Sequence, residues 1–321
     1  YDKNMSGSFF EQLQIPEPHA NLECSGGTQA EQTAAIMICF EKELISNPSD
    51  LVLVVGDVTS TMACALVAQK LNIKVAHVEA GIRSDDWTMP EEINRLVTDS
   101  ITNYFFTTSD LANKNLSESG VKDHQIFFVG NTMIDTLLKQ RPNFKAPHVW
   151  NQLKLKPKSY IVMTLHRPAN VDEESQLKDM IDEIINHTQD LPLIFPVHPR
   201  TAKILERLKI VHPRLHTIEP LSYLEFNYLV EHATAVITDS GGITEETSVM
   251  NVPCMTLRDN TERPETITMG TNELVGTNPK AIKPYLEKLF SGDWKQYKTI
   301  PLWDGKTAER IVTHILDLTK T

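Results

Sequence analysis

Thr234-Ala-Val-Ile-Thr-Asp-Ser-Gly-Gly-Ile-Thr-Glu-Glu246 opens on an apolar, β-branched run, stops at Asp239-Ser240-Gly241-Gly242 and continues in a helical pattern. The stretch predicts a buried strand ending at a tight turn that opens a helix, the unit from which parallel α/β sheets are built. Such a turn makes an anion site. Ser240 can cap the helix and offer a hydroxyl, Gly241 and Gly242 let a ligand approach the backbone, and the N–H groups at the helix start favour a phosphate. Further along, Arg258-Asp-Asn-Thr-Glu-Arg-Pro-Glu265 supplies Arg263 as a second phosphate contact, so the two segments together suggest a phosphorylated ligand. The same Ser-Gly-Gly turn also serves as a plain tight connection in α/β folds. Neither a Walker A loop nor a GxGxxG fingerprint is present, which leaves a P-loop nucleotidase or an ordinary dinucleotide enzyme without motif support.

Outward from this stretch, strand-like apolar runs alternate with helical ones. A helix over residues 28–44 precedes strands at 51–55, 75–78, 104–107 and 126–129. A polar, proline-containing stretch from Arg141 to Ser159 reads as a linker, after which strands are predicted at 160–164, 193–197, 215–218, 235–238 and 254–257. With 321 residues the chain accommodates two domains of roughly 150 each. The expected division is a Rossmann-like domain over 1–150, a second over 151–305 and a terminal helix over 306–321.

The 31 basic and 42 acidic residues give a formal net charge of -11, which argues against broad binding to nucleic acid or an anionic membrane. An anionic ligand then needs a locally basic pocket, for which Arg95, His166, Arg167, His198, Arg200 and Arg263 are candidates. Cys24, Cys39, Cys64 and Cys254 are widely spaced with no CxxC, which argues against a zinc ribbon or a dense disulfide framework and for a reducing cytoplasm. No apolar run reaches about 18 residues, so no membrane span is expected. His212 and His216 have Pro213 between them and no supporting carboxylate, so no metal is expected.

Three acids fall where open parallel sheets bind ligands, at strand C-terminal ends. Asp57 follows the first strong strand in Gly56-Asp57, Glu79 follows the next in His77-Val-Glu-Ala-Gly-Ile-Arg83, and Glu91 follows Pro90 at a helix start with Arg95 one turn on. Asp57 fits a helix-capping role equally well, and Glu91 with Arg95 fits an i,i+4 helix pair. If the three converge, burial and like charge would separate their pKa values into acid and base roles. In the second half His166-Arg167 follows a buried strand, where a histidine can neutralise or protonate a departing phosphate or serve only structure.

Taken in order, Gly56-Asp57, His77-Val-Glu-Ala-Gly81, Pro90-Glu-Glu-Ile-Asn-Arg95, His166-Arg167, Asp239-Ser-Gly-Gly242 and Glu262-Arg-Pro-Glu265 closely resemble the non-hydrolysing UDP-N-acetylglucosamine 2-epimerases. The resemblance runs over nearly the whole chain. It implies a GT-B-like α/β fold, with a UDP-sugar bound between two Rossmann-like domains and the last helix returning to the first. It implies that Asp57, Glu79 and Glu91 are sugar-side acids, with Arg95 and His166 also in the active site. Ser240, Gly241 and Gly242 would hold the diphosphate with Arg263, Glu246 would accept hydrogen bonds from ribose hydroxyls, and Phe226 would pack beside uracil. The implied reaction inverts C2 without a redox cofactor, by eliminating UDP to give 2-acetamidoglucal and adding it back. A homodimer is implied as well.

Two departures stand out. Family members open with a strand and a Gly-Thr-Arg-Pro-Glu loop, and the chain from Tyr1 contains no such segment. It therefore reads as a fragment whose first domain lacks an opening strand, and poor stability or inactivity is expected of it. His166-Arg-Pro-Ala-Asn170 replaces an Arg-Glu-Asn continuation tied to allosteric substrate binding in many bacterial members, so allosteric activation is not expected. The alternatives are a 2-epimerase of a modified UDP-sugar, a hydrolysing epimerase, a GT-B glycosyltransferase, or an inactive UDP-sugar-binding fragment.

Overall fold

The computed structural model describes residues 10, 12–24, 26–171, 173–197, 199–318 and 320. In chain order the elements are α1 (Gln29–Ser46), β1 (Leu51–Val55), α2 (Thr59–Lys70), β2 (Lys74–Ala80), α3 (Pro90–Ser100), β3 (Tyr104–Thr107), α4 (Asp110–Glu118), β4 (Ile126–Phe128) and α5 (Thr132–Gln140). They continue with α6 (His148–Gln152), β5 (Ile161–Thr164), α7 (Pro168–Val171), α8 (Glu174–Asn186), β6 (Leu193–Pro196), α9 (Pro199–Arg207), β7 (Leu215–Ile218), α10 (Tyr223–His232) and β8 (Ala235–Thr238). The last are α11 (Gly241–Val249), β9 (Cys254–Thr256), α12 (Pro264–Thr268), β10 (Asn272–Leu274), α13 (Ile282–Phe290) and α14 (Thr307–Leu318).

The described residues form two compact units, one running to Asp135 and resuming at Pro301, the other Thr136–Ile300. The first holds a parallel sheet in the order β1-β2-β3-β4, the second a parallel sheet in the order β10-β9-β8-β5-β6-β7. No described helix is long and apolar enough to cross a membrane.

In the second unit β5 and β8 pair from Ile161↔Ala235 to Thr164↔Thr238 and are covered on both faces, which is why they read as unbroken apolar runs. Ile161, Met163, Leu177, Ile181 and Ile184 are fully buried between sheet and α8, each contributing about 1.5–3 kcal/mol by leaving water. β10 escapes a reading by hydrophobic pattern because Asn272-Glu-Leu274 is short and polar; it forms because β9 offers an edge to pair with. The stretch from Arg141 to Ser159 is not a bare linker. It carries a 3-10 turn and α6, whose Trp150 packs edge-on against Tyr160 and Tyr228 at 5.9 and 5.1 Å.

In the first unit α1 starts at a capping box. The Thr28 hydroxyl accepts from the Glu31 N–H at 3.2 Å, and the Glu31 carboxylate accepts from the Thr28 N–H at 2.7 Å. At the other end of the chain α14 is tied to the first sheet's surroundings. The Thr307 and Ala308 N–H groups donate to the Asp135 carboxylate at 3.0 and 2.8 Å, the Trp303 indole donates to the Thr108 carbonyl at 3.1 Å, and the His314 ring lies tilted against Phe127 at 4.7 Å. Asp135 thus caps a helix more than a hundred residues away.

Candidate active site

In the first unit β1 and β2 run side by side with Val55 opposite Val78, so the residues just past them share one sheet edge. Gly56, in the left-handed region at φ 71°, continues the ladder by donating its N–H to the Val78 carbonyl at 3.0 Å and turns the chain so that Asp57 follows. One strand over, Glu79 is the extra residue of a β-bulge, since Val78 pairs with Phe106 but Ala80 with Thr107. It adopts φ 70°, a conformation costly for a glutamate and found where a bulge redirects a side chain beside a functional site. Its carboxylate accepts a long hydrogen bond from the Thr132 hydroxyl at 3.5 Å.

Arg95, from α3, is buried and joins two acids. Its Nε and Nη2 donate to Asp57 Oδ2 at 3.0 and 2.7 Å, and its Nη1 donates to Glu92 Oε2 at 2.8 Å. Glu92 also accepts from the Ser84 N–H and hydroxyl and from the Asp85 N–H. Burial raises this carboxyl, but the hydrogen bonds from Ser84, Arg95 and Asp85 outweigh it and hold it below the usual range. Glu91, at the start of α3 behind Pro90, is half-buried, as are Asp57 and Glu79. Glu92 is thus the locked acid of the Glu91-Glu92 pair, a distinction that sequence could not draw because both follow Pro90 at a helix start.

In the second unit β8 ends at Thr238 and α11 begins at Gly241, with Ser240 in the N-cap position. The Ser240 hydroxyl makes no capping hydrogen bond, contrary to the expectation from sequence; its own N–H is turned inward onto Thr238 Oγ1 at 3.0 Å. The first-turn N–H groups of α11 therefore lack the side-chain cap that would compete with an anion. Beside Gly241 lies the Arg258–Glu262 pair, bonded through both guanidinium nitrogens at 2.8 Å. Arg263 forms an ion pair with buried Glu245 of α11, so its charge is already matched.

Asp239 organises the opposite side of this turn. Fully buried, it accepts from the His166 and Arg167 N–H groups and from the Asn170 amide, and its Oδ1 meets His166 Nδ1 at 2.7 Å. Burial raises the Asp239 carboxyl, but the hydrogen bond and charge of His166, with Asn170 and Arg167, bring it below its ordinary value. The His166 ring itself is exposed, so Nδ1 is anchored while Nε2 faces away. Sequence singled out His166 but gave Asp239 only a place in the turn.

Glu246, on α11, accepts a hydrogen bond from the Tyr223 hydroxyl at 2.8 Å, and burial pushes its carboxyl up to about 7 despite that bond. Phe226 stands three residues from Tyr223 on α10 and is half-buried, on the helix face that reaches Glu246. His198 lies outside the described residues, as does the side chain of Arg200.

Residues 1–316 match the family model for UDP-N-acetylglucosamine 2-epimerase. The UDP-N-acetylglucosamine 2-epimerase of Methanocaldococcus jannaschii is 42% identical, over 97% of this chain and 87% of the relative. The UDP-2,3-diacetamido-2,3-dideoxy-D-glucuronate 2-epimerase of Pseudomonas aeruginosa is 39% identical, over 99% of this chain and 89% of the relative. A crystal structure of the M. jannaschii epimerase in complex with UDP-GlcNAc and UDP is 41% identical and superposes with a TM-score of 0.86, covering 98% of this chain and 89% of that one. The GT-B-like α/β class read from sequence is the fold of these neighbours. With the family model matching residues 1–316 and a relative 42% identical over 97% of the chain, the chain belongs to the UDP-N-acetylglucosamine 2-epimerase family.

Proposed function

We propose that this protein reversibly converts UDP-N-acetylglucosamine to UDP-N-acetylmannosamine without releasing free sugar. The observation that carries this reading is the placement of chemistry in a chain of this family. Asp57 stands past the end of β1, Glu79 at a bulge near the end of β2 and Glu91 at the start of α3, and an uncapped helix start stands past β8 of the second sheet. In this reading the second unit holds UDP: the α11 N–H groups with Ser240, Gly241 and Gly242 take the diphosphate, Glu246 takes ribose hydroxyls, and Phe226 lies against uracil. Arg263, tethered to Glu245, serves there as a guanidinium hydrogen-bond donor to the diphosphate rather than as unmatched charge.

The acids of the first unit serve the sugar. C2–H cleavage needs a carboxylate base, and C1–O cleavage needs the departing diphosphate stabilised, a task for helix N–H groups and for His166 through Nε2. Arg95 holds Asp57 in place through two hydrogen bonds. UDP leaves, 2-acetamidoglucal stays bound, and UDP returns with C2 protonated on the other face. The protein needs no redox cofactor for these steps. We further propose that it works as a homodimer in the cytoplasm; its four free cysteines suit a reducing compartment.

The 39% identity to the diacetamido-glucuronate epimerase favours one second reading, the same C2 chemistry on a modified UDP-sugar. The test is to approach equilibrium from both UDP-N-acetylglucosamine and UDP-N-acetylmannosamine and follow both by proton NMR. Convergence to one mixture with no free N-acetylmannosamine supports the proposal. Release of free sugar assigns a hydrolysing reaction, and turnover confined to the diacetamido-uronate substrate assigns the second reading.

A further inference from the structure

His77, in β2, is fully buried and meets an acceptor on each side. Its Nδ1 lies 2.8 Å from Asp99 Oδ1 and its Nε2 lies 2.8 Å from the Gly56 carbonyl oxygen. A carbonyl oxygen only accepts, and an ionised carboxylate only accepts. Asp99 is held as the carboxylate because the Arg83 guanidinium meets its other oxygen at 2.6 Å, beside the Gly81 N–H at 3.1 Å, and a proton on Oδ1 would leave that cation unmatched. A neutral imidazole has one N–H and would leave one of these contacts as two facing lone pairs. Satisfying both in a dry interior requires two ring N–H groups.

The same network brackets the two strand ends that carry acids. Through His77 it grips the Gly56 carbonyl, one residue before Asp57. Through Asp99 it holds His77 and Gly81, two residues on either side of Glu79. Glu79 sits at φ 70°, and a glutamate stays in that region only where its surroundings over-determine it. Gly81 is also fixed sterically, because at φ 78° a Cβ there would overlap the Ala112 carbonyl. The charged groups facing the ring are Asp99 from α3 and, through Asp99, Arg83 from the loop after β2.

We propose that His77 is a positioning residue: a doubly protonated imidazolium that, clamped between Asp99 and the Gly56 carbonyl, fixes the strand ends presenting Asp57 and Glu79. It touches no substrate. The catalytic consequence rests on the epimerase reading; the protonation state does not.

Two measurements on the full chain test it. With 15N-labelled histidine, the ring correlated through bonds to the His77 backbone shows both nitrogens protonated at pH 7. One bare ring nitrogen would overturn the proposal whatever the substrate proves to be. His77→Gln can keep a donor on the Gly56 carbonyl, whereas His77→Asn can keep one on Asp99 alone. In an active wild type, His77→Asn lowers kcat for C2 exchange on the order of 100-fold, with UDP affinity unchanged and the glutamine variant recovering part of the loss. Equal kcat in wild type and His77→Asn, or a parallel loss of UDP affinity and melting cooperativity, counts against positioning. An inactive wild type would instead sink the epimerase reading, leaving the NMR result to decide the imidazolium.

Discussion

His166 Nδ1 and Asp239 Oδ1 lie 2.7 Å apart, joining an exposed imidazole to a fully buried carboxylate at the turn between β8 and α11. The pairing gives the two partners different failure modes. His166→Ala removes an exposed ring but leaves two backbone N–H groups and Asn170 on Asp239, so its melting temperature falls less than that of an Asp239 variant while kcat falls on the order of 100-fold or more. Asp239→Asn leaves two backbone N–H groups and Asn170 competing for a weaker acceptor and costs about 3 kcal/mol of stability as well as activity. Thermal melts beside single-turnover rates separate the two.

Arg95 carries a similar burden in the first unit. Arg95→Met strands Glu92, which is buried, while Asp57 keeps partial access to water. The expected cost is about 3 kcal/mol in urea unfolding, with kcat reduced because Asp57 loses the two hydrogen bonds that aim it. Unchanged stability would mean that Glu92 is satisfied by Ser84 and Asp85 alone.

Glu246 sets a pH dependence. Its ordinary value is 4.5, and burial raises it in the fold to about 7, with Tyr223 pulling the other way. The folded chain therefore holds this proton more tightly than the unfolded chain. The stability so contributed is full below 4.5 and is lost as pH rises through about 7. Relative to Glu246→Gln, the wild type is expected to lose roughly 3 kcal/mol across that interval in denaturant titrations. Parallel curves for the two proteins would refute the buried carboxyl.

Gly81→Ala places a methyl group against the Ala112 carbonyl in a left-handed backbone. The expected destabilisation exceeds about 2 kcal/mol by calorimetry. A variant as stable as wild type would mean that the segment after Glu79 can shift.

Much of the fold was legible because buried parallel strands write themselves as apolar runs. Leu51–Val55, Tyr104–Thr107, Leu215–Ile218 and Ala235–Thr238 are strands over the predicted residues, and the helix expected over 28–44 is α1. β10 was not legible, since its three residues are held by an edge rather than by their own hydrophobicity. In the candidate site, motif position and strand ends marked Asp57, Glu79, His166 and the Ser240 turn. Asp99, Asp239 and Glu245 were invisible as partners because what they meet lies far along the chain, and Glu92 because its neighbour Arg95 is shared with Asp57 from another strand end. The absence of a Ser240 cap was invisible for the same reason: serine before a helix predicts a cap, and only the backbone path shows its N–H turned toward Thr238.

In the proposed reaction the C2–H bond breaks and re-forms on the enzyme. Incubation with UDP-N-acetylglucosamine in D2O, followed by proton NMR of the anomeric and C2 signals, tests it most directly. The expected product is UDP-N-acetylmannosamine carrying deuterium at C2. A product that retains its C2 proton, or a folded protein that binds UDP yet exchanges nothing at C2, would contradict it.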